Sequence, residues 1–361
     1  MSLSLYGTLS RRLMQIRLTE NSAHPALPYK YIFVITNRCN SRCLTCNTWK
    51  LYREHPERLK DELTTDEVTR TMHSVKDAMV WLNFTGGEPL LREDLLDMIH
   101  YARDHCPNLR IINIPINGLL PDLAARFFPQ AIEACRGVGL YVTLSLDGLE
   151  AEHEKIRGVP GGYKKIMQAH DILQKLAKEH PNFVLSSQLT ISRYNLETAL
   201  ETFDFMASQD LPIVTFAHVG ELFHNPEMSL DSPDDRQAIR SLAHEIYRRY
   251  PVKNFQSLLP KAYLKFTYLF FENSHLPVPC HSGRSTTTID PYGLVSPCPY
   301  LGRYAGNVRD FDYDLRKILA TEPARELRRV AQSCNICWQN CEAMPTIMAH
   351  PLLSTWKFLT K

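Results

Sequence analysis

The chain has 361 residues, a formal net charge of +2 and 44% hydrophobic residues, enough for one large or two smaller cores. So balanced a charge gives no global basis for nucleic-acid binding, and no apolar run is long enough to span a bilayer. Ten cysteines without a secretory signal predict a reducing, cytoplasmic setting and metal binding, not a disulfide framework.

Residues 1–29 are predicted as an N-terminal extension. Leu5, Leu9, Leu13 and Ile16 fall at helical spacing beside Arg11, Arg12 and Arg17. That pattern predicts a helix packed on the body of the protein, with weak contact to a membrane surface as the alternative. Strand-like runs then read at residues 31–35, 80–84, 110–116, 140–146, 183–191 and 213–218. Amphipathic helices separate them, such as the one lined by Val68, Met72, Val75 and Met79. Alternation of this kind means βαβ units on a parallel sheet. The expected fold is α/β, a partial (β/α)6 TIM-like barrel over residues 30–220. A helical connector is expected over 221–276, a small cysteine-rich domain with a β-hairpin over 277–345, and a tail over 346–361.

Active sites of such sheets lie at the carboxyl ends of the strands, and chemistry-bearing residues collect there. After the first strand come Cys39, Cys43 and Cys46, spaced C-x3-C-x2-C. Three thiolates on one loop fall one short of ordinary four-cysteine cluster ligation, and zinc is the alternative occupant. The second strand ends in Gly86-Gly87-Glu88-Pro89, two glycines that let backbone approach closely beside a charged acceptor. The third ends in Asn117-Gly118, and the fourth in Ser145-Leu146-Asp147-Gly148, where Asp147 could equally be a helix cap. Gln188 and Thr190 alternate on one face of the fifth strand, facing either a barrel interior or ordinary polar packing. His218 and Glu221 close the sixth and are the only candidates for a catalytic side chain. Isolated Cys106 and Cys135 read as structural.

The C-terminal region holds Cys280, Cys298, Cys334, Cys337 and Cys341. Cys280 and Cys298 bracket a predicted hairpin, with strands at 286–289 and 294–295 and the turn Asp290-Pro291-Tyr292-Gly293 between them. The full spacing is C-x12-G-x4-C, then C-x2-C-x3-C.

The first cysteine loop followed by Gly86-Gly87-Glu88-Pro89 resembles the radical SAM superfamily. The resemblance implies a four-iron cluster on Cys39, Cys43 and Cys46 whose open iron binds S-adenosylmethionine. Reduction then yields methionine and a 5′-deoxyadenosyl radical. It implies that Glu88 or nearby backbone carbonyls meet the amino group, and that Ser145 and Asp147 approach the ribose or carboxylate. Asn117-Gly118 resembles the family's turn after the third strand. Thr45 departs from the pattern, because an aromatic residue usually stands there. The second array, with Ile156-Arg157-Gly158, resembles the branch with twitch or SPASM auxiliary-cluster domains. Five cysteines fill one auxiliary 4Fe-4S cluster with one left over. Cys280, Cys298, Cys334 and Cys337 are the expected ligands, Cys341 is the spare or the rival, and a zinc ribbon is the alternative.

The expected protein is therefore a radical SAM enzyme with two 4Fe-4S clusters that abstracts hydrogen from a substrate carbon. Oxidation of a small molecule such as a sugar or cyclitol is favoured, with the auxiliary cluster as electron acceptor and flavodoxin or ferredoxin as reductant. Peptide or protein modification is the first alternative. About 30 residues before the barrel are too few for a folded leader-peptide domain, which counts against one subclass of it. A non-catalytic iron–sulfur electron carrier is the second alternative, against which the Gly86–Pro89 and Ser145–Gly148 motifs speak.

Overall fold

The computed structural model describes residues 3–20, 22, 25–209, 212–216, 232–252, 257–273 and 275–360. Helix α1 (Leu3–Thr19) buries Leu5, Leu9 and Ile16 on one side. They pack on Tyr29, Val80 and Ile111, with Trp81 and Tyr141 at the margin. Those residues stand at the amino ends of the first strands, so α1 plugs the bottom of the barrel.

Six parallel strands follow: β1 (Lys30–Thr36), β2 (Trp81–Gly86), β3 (Ile111–Ile116), β4 (Gly139–Ser145), β5 (Phe183–Ile191) and β6 (Pro212–Phe216). Between them run α2 (Leu51–Glu54), α3 (Thr65–Ser74), α4 (Leu95–His105), α5 (Pro121–Ala134), α6 (Glu150–Arg157), α7 (Gly162–Glu179) and α8 (Ala199–Ser208). Leu82 and Phe84 of β2 are buried on the helix side, in one core with Met72, Met98 and Phe128. Trp81, Asn83 and Thr85 alternate with them and face inward, lining a cavity. The same happens at Asn113, Thr143, Gln188 and Thr190. A barrel filled with aliphatic layers has no room for a ligand; this one is lined with amides and hydroxyls and stays hollow. Cys106 and Cys135 end α4 and α5 inside the helix-side core.

The connector forms α9 (Pro233–Arg249) and α10 (Leu258–Asn273). After it come β7 (Thr286–Ile289), β8 (Leu294–Ser296), β9 (Gly306–Asn307), α11 (Leu315–Leu319), α12 (Glu322–Ser333), α13 (Asn340–Ala349) and α14 (Pro351–Thr360). The predicted hairpin is present as β7 and β8, but it does not make a sheet of its own. β7 pairs in parallel with β1, from Lys30 opposite Thr286 to Phe33 opposite Ile289. Among the described residues the sheet therefore has nine strands in the order β6-β5-β4-β3-β2-β1-β7-β8-β9. An open barrel leaves β1 with an unpaired edge, and all four residues of β7 are buried. Each satisfies the other's backbone groups.

Contacts between barrel and C-terminal region include one charged cluster. Thr64 and Glu67 form a capping box at the start of α3. The Glu67 carboxylate also accepts from Arg309 at 2.7 and 3.0 Å and from the Tyr313 hydroxyl at 2.7 Å. Chiefly through Arg309, the Glu67 carboxyl is lowered from 4.5 to about 2. A depressed carboxyl stabilises the fold above its unfolded value and loses that contribution as the pH falls toward the folded one. Glu67→Gln is expected to lower the thermal midpoint by about 2–5 °C at neutral pH. The deficit should shrink as the pH drops from 4.5 toward about 2. Circular dichroism melts at several pH values check this, and a deficit constant across that range would contradict it.

Candidate active site

The three-cysteine loop leaves the end of β1 and is held by both backbone and side-chain hydrogen bonds. The amides of Arg42 and Leu44 donate to the carbonyls of Arg157 and Ile156 at 2.9 and 2.8 Å. Cys39, Cys43 and Cys46 all line the barrel cavity, which has a volume of about 380 Å³. Hydrogen-bond donors surround the sulfurs. The Ser41 amide lies 3.4 Å from Cys39 Sγ, and the Arg157 guanidinium lies 3.7 Å from Cys43 Sγ. The Ser41 hydroxyl sits 3.0 Å from that same Cys43 sulfur. Burial pushes the free Cys39 thiol up to about 12, so bound metal must supply what holds it as thiolate. Donors aimed at sulfur are what a thiolate-ligated cluster needs around it.

Gly86 and Gly87 clamp this loop. A Cβ on Gly86 would lie 2.2 Å from the Thr36 carbonyl oxygen, and one on Gly87 2.2 Å from that of Arg38. Gly86 also has a φ of +154°. The amides of Gly87 and Glu88 donate to those same two carbonyls at 2.8 and 2.7 Å. Room for backbone against the cluster loop is thus one demand on both glycines, beside any approach to a ligand. Gly87→Ala must push the loop away. It is expected to leave the fold intact by circular dichroism but to cut iron retained by the first cysteine set at least about threefold. Full iron loading in that variant would overturn this account.

Glu88 and Pro89 do not reach the cavity wall. The Glu88 carboxylate accepts from the amides of Asn117 at 2.7 Å and Leu90 at 3.0 Å, tying the end of β2 to the end of β3. Burial pushes its carboxyl up to about 7 despite those amides. Gly86, Gly87, Asn117, Ser145 and Asp147 do line the cavity. Asp147 caps no helix, since α6 begins after Leu149. It is buried, pairs with Arg157 at 2.8 Å and accepts from the Thr190 amide at 2.9 Å. His218 and Glu221 lie outside the described residues.

The second cysteine array approaches from the open side of the barrel. Cys280, Cys298, Cys334 and Cys337 line a small neighbouring cavity of about 30 Å³. Cys341, near the start of α13, lines the barrel cavity instead, with Met344, while Tyr300 and Gln339 line both cavities. All ten cysteines are free. Among the described residues no three His, Cys, Asp or Glu side chains are arranged to hold a single metal ion.

Residues 33–206 match the radical SAM superfamily, and residues 280–342 match the SPASM iron–sulfur cluster-binding domain. This chain is a radical SAM protein with a C-terminal SPASM domain. The radical SAM domain carries S-adenosylmethionine and a 4Fe-4S cluster, and the SPASM domain carries auxiliary iron–sulfur ligation. The chain is 26% identical over 324 residues to the AdoMet-dependent heme synthase of Methanosarcina barkeri, covering 84% of this chain and 86% of that protein. It is 26% identical over 281 residues to the PqqA peptide cyclase of Granulibacter bethesdensis, covering 73% and 70%. In fold it is similar to native anSMEcpe with bound AdoMet, with a TM-score of 0.60 at 15% identity over 92% of this chain and 98% of that one.

Sequence reading did not select Arg157, Lys30, Trp49 or Tyr300, all of which line the radical SAM cavity. Arg157 was visible only as part of a short motif. Lys30 is buried at the base of the cavity, over the Trp81 ring and donating to the Cys341 carbonyl, so it links barrel and SPASM domain. Trp49 donates to the Cys43 carbonyl at 3.3 Å and lines the same cavity as Thr45. Tyr300 follows Cys298, where only cysteines stood out.

Proposed function

We propose that this radical SAM enzyme abstracts hydrogen from a small polar molecule and oxidises it, with the electron leaving through a cluster on Cys280, Cys298, Cys334 and Cys337. When bound, the first cluster and S-adenosylmethionine supply a 5′-deoxyadenosyl radical. One observation carries the reading: cysteines of both arrays line neighbouring cavities that share wall residues. The barrel cavity and an adjoining chamber of about 570 Å³ share Val34, Thr48 and Pro299, and Cys298 lines that chamber. A substrate held where the two meet lies between the radical source and the SPASM cysteines.

The protein's own part is binding and exclusion. Backbone at Gly86 and Gly87, with Ser145, would hold the methionine end of S-adenosylmethionine, while Arg157 and Asp147 neutralise each other beside it. Asn83, Asn113, Thr143, Gln188 and Thr190 offer amides and hydroxyls to a hydroxylated substrate such as a sugar or cyclitol. Strand-borne donors are already positioned, and a site set inside the barrel limits the access of water and quenching groups to the radical. Similarity to a heme synthase over most of both chains supports a small-molecule substrate. Similarity to a peptide cyclase supports the second reading, peptide modification. Ten free cysteines fit a reducing cytoplasm, with electrons from a flavodoxin or ferredoxin.

The test uses extract from cells grown in deuterated medium, split into small-molecule and peptide fractions. Reduced holoenzyme and S-adenosylmethionine are added to each, and the mass of 5′-deoxyadenosine is read. Deuterium arriving from the small-molecule fraction supports the proposal. Label arriving only from the peptide fraction overturns it in favour of peptide modification, and no deoxyadenosine in either rules out both.

A further inference from the structure

Two helices at the base of the molecule leave large apolar side chains in solvent. On α14, Leu353, Ser354 and Phe358 face the body, and Lys265 holds the Phe358 carbonyl. Leu352, Trp356 and Leu359 recur at helical spacing on the other side and are 86%, 55% and 75% exposed. On α1, opposite the face that plugs the barrel, Met14 and Leu18 are 65% and 74% exposed. The two helices adjoin, since Arg17 near the end of α1 donates at 3.3 Å to the carbonyl of Ala349, two residues before α14 begins.

Charge selects what covers this face. Neither helix carries an Asp or Glu, although the chain has 39 of them. Arg11 and Arg17 are exposed on α1, and Lys357 lies on α14. Glu20, the acid that follows α1, lies within 3.7 Å of His281. A two-fold pair of copies through this face would bring its arginines together, which disfavours self-association. Leucines, a tryptophan and arginines without acids are the composition that rests at a lipid headgroup boundary.

We propose that the α1–α14 face docks this protein on an anionic membrane surface. The contact is peripheral, because among the described residues no helix is long and apolar enough to cross a bilayer. Leu352, Trp356, Leu359 and Leu18 enter the headgroup layer, and Arg11 and Arg17 meet lipid phosphates. The cavity opens at the other end of the strands, so docking leaves it free. This inference stands apart from the proposed reaction.

Cluster-reconstituted protein is sedimented with vesicles of phosphatidylcholine alone, or mixed with equal phosphatidylglycerol. Binding to the mixed vesicles should be at least about tenfold tighter, because each cation near an anionic leaflet strengthens binding by about fivefold. Added salt should weaken it. Leu352→Ser with Trp356→Ser and Leu359→Ser should bind at least about tenfold more weakly. Its iron content and deoxyadenosine formation should be unchanged, since these side chains touch neither cavity. Equal binding to both vesicle types, no binding to either, or wild-type binding by that folded variant overturns the proposal. So does a dimer in sedimentation velocity that the variant lacks, which would make the face an interface between copies.

Discussion

Replacing Cys39, Cys43 and Cys46 together with alanine is expected to abolish deoxyadenosine formation and to remove about half of about eight irons in the anaerobically reconstituted protein. The effect should be nearly complete, because no other cysteine lies on the cluster loop or the strand ends around it. The loop also has protein hydrogen bonds of its own. Its amides are held by the Ile156 and Arg157 carbonyls, and the Gly87 and Glu88 amides hold the Thr36 and Arg38 carbonyls. The variant should therefore fold, and circular dichroism should match the parent. The SPASM cysteines should keep the remaining iron, since Cys280, Cys298, Cys334 and Cys337 do not line the barrel cavity. Stoichiometric zinc in the parent, or deoxyadenosine from the variant, would sink this account.

The second large effect separates making the radical from using it. Cys280→Ala with Cys298→Ala should still form deoxyadenosine but little oxidised product, once a substrate is in hand. The substrate radical would have no acceptor for its electron and would be quenched or take its hydrogen back. Losing metal can also unfold a small domain. Here β7 is paired to β1 along its length, and Arg309 and Tyr313 grip Glu67. Those contacts should keep the region folded, as circular dichroism and retained first-cluster iron would show. A finer comparison concerns the fifth cysteine. Cys341 lines the barrel cavity and not the second one, so Cys341→Ala should retain about eight irons, whereas Cys337→Ala should retain about four. The reverse pattern would make Cys341 the ligand. Full product turnover by a folded Cys280→Ala, Cys298→Ala variant would rule out the electron-acceptor role.

Much of this was legible in residue order alone. The strand at 183–191 and the hairpin strand at 286–289 stand where apolar and β-branched runs predict them, because a buried strand needs those side chains. The cysteine loop was legible because its ligands are local, all within eight consecutive residues. The hydrogen bonds that Glu88 accepts from the amides of Leu90 and Asn117 were not, since Asn117 stands at the end of another strand. Arg157 was missed for the same reason, since nothing near it in sequence announces that it will meet Cys43 and Asp147.

What the sequence determined by itself is whatever depends on short spacing: the βαβ alternation, the C-x3-C-x2-C loop, the hairpin with its turn, and the apolar stripe of α1. Periodicity and loop geometry are properties of neighbouring residues, so they survive in a string of letters. Only the tertiary structure decided that β7 extends the barrel sheet beside β1. It alone turned Asn83, Asn113 and Thr143 into one polar wall, and set Cys341 on a different cavity from Cys280, Cys298, Cys334 and Cys337. Each of these depends on which strand edge is left unpaired and which side of a helix turn meets the body. Those choices are made by burial and backbone pairing between segments far apart in the chain, and no local pattern encodes them.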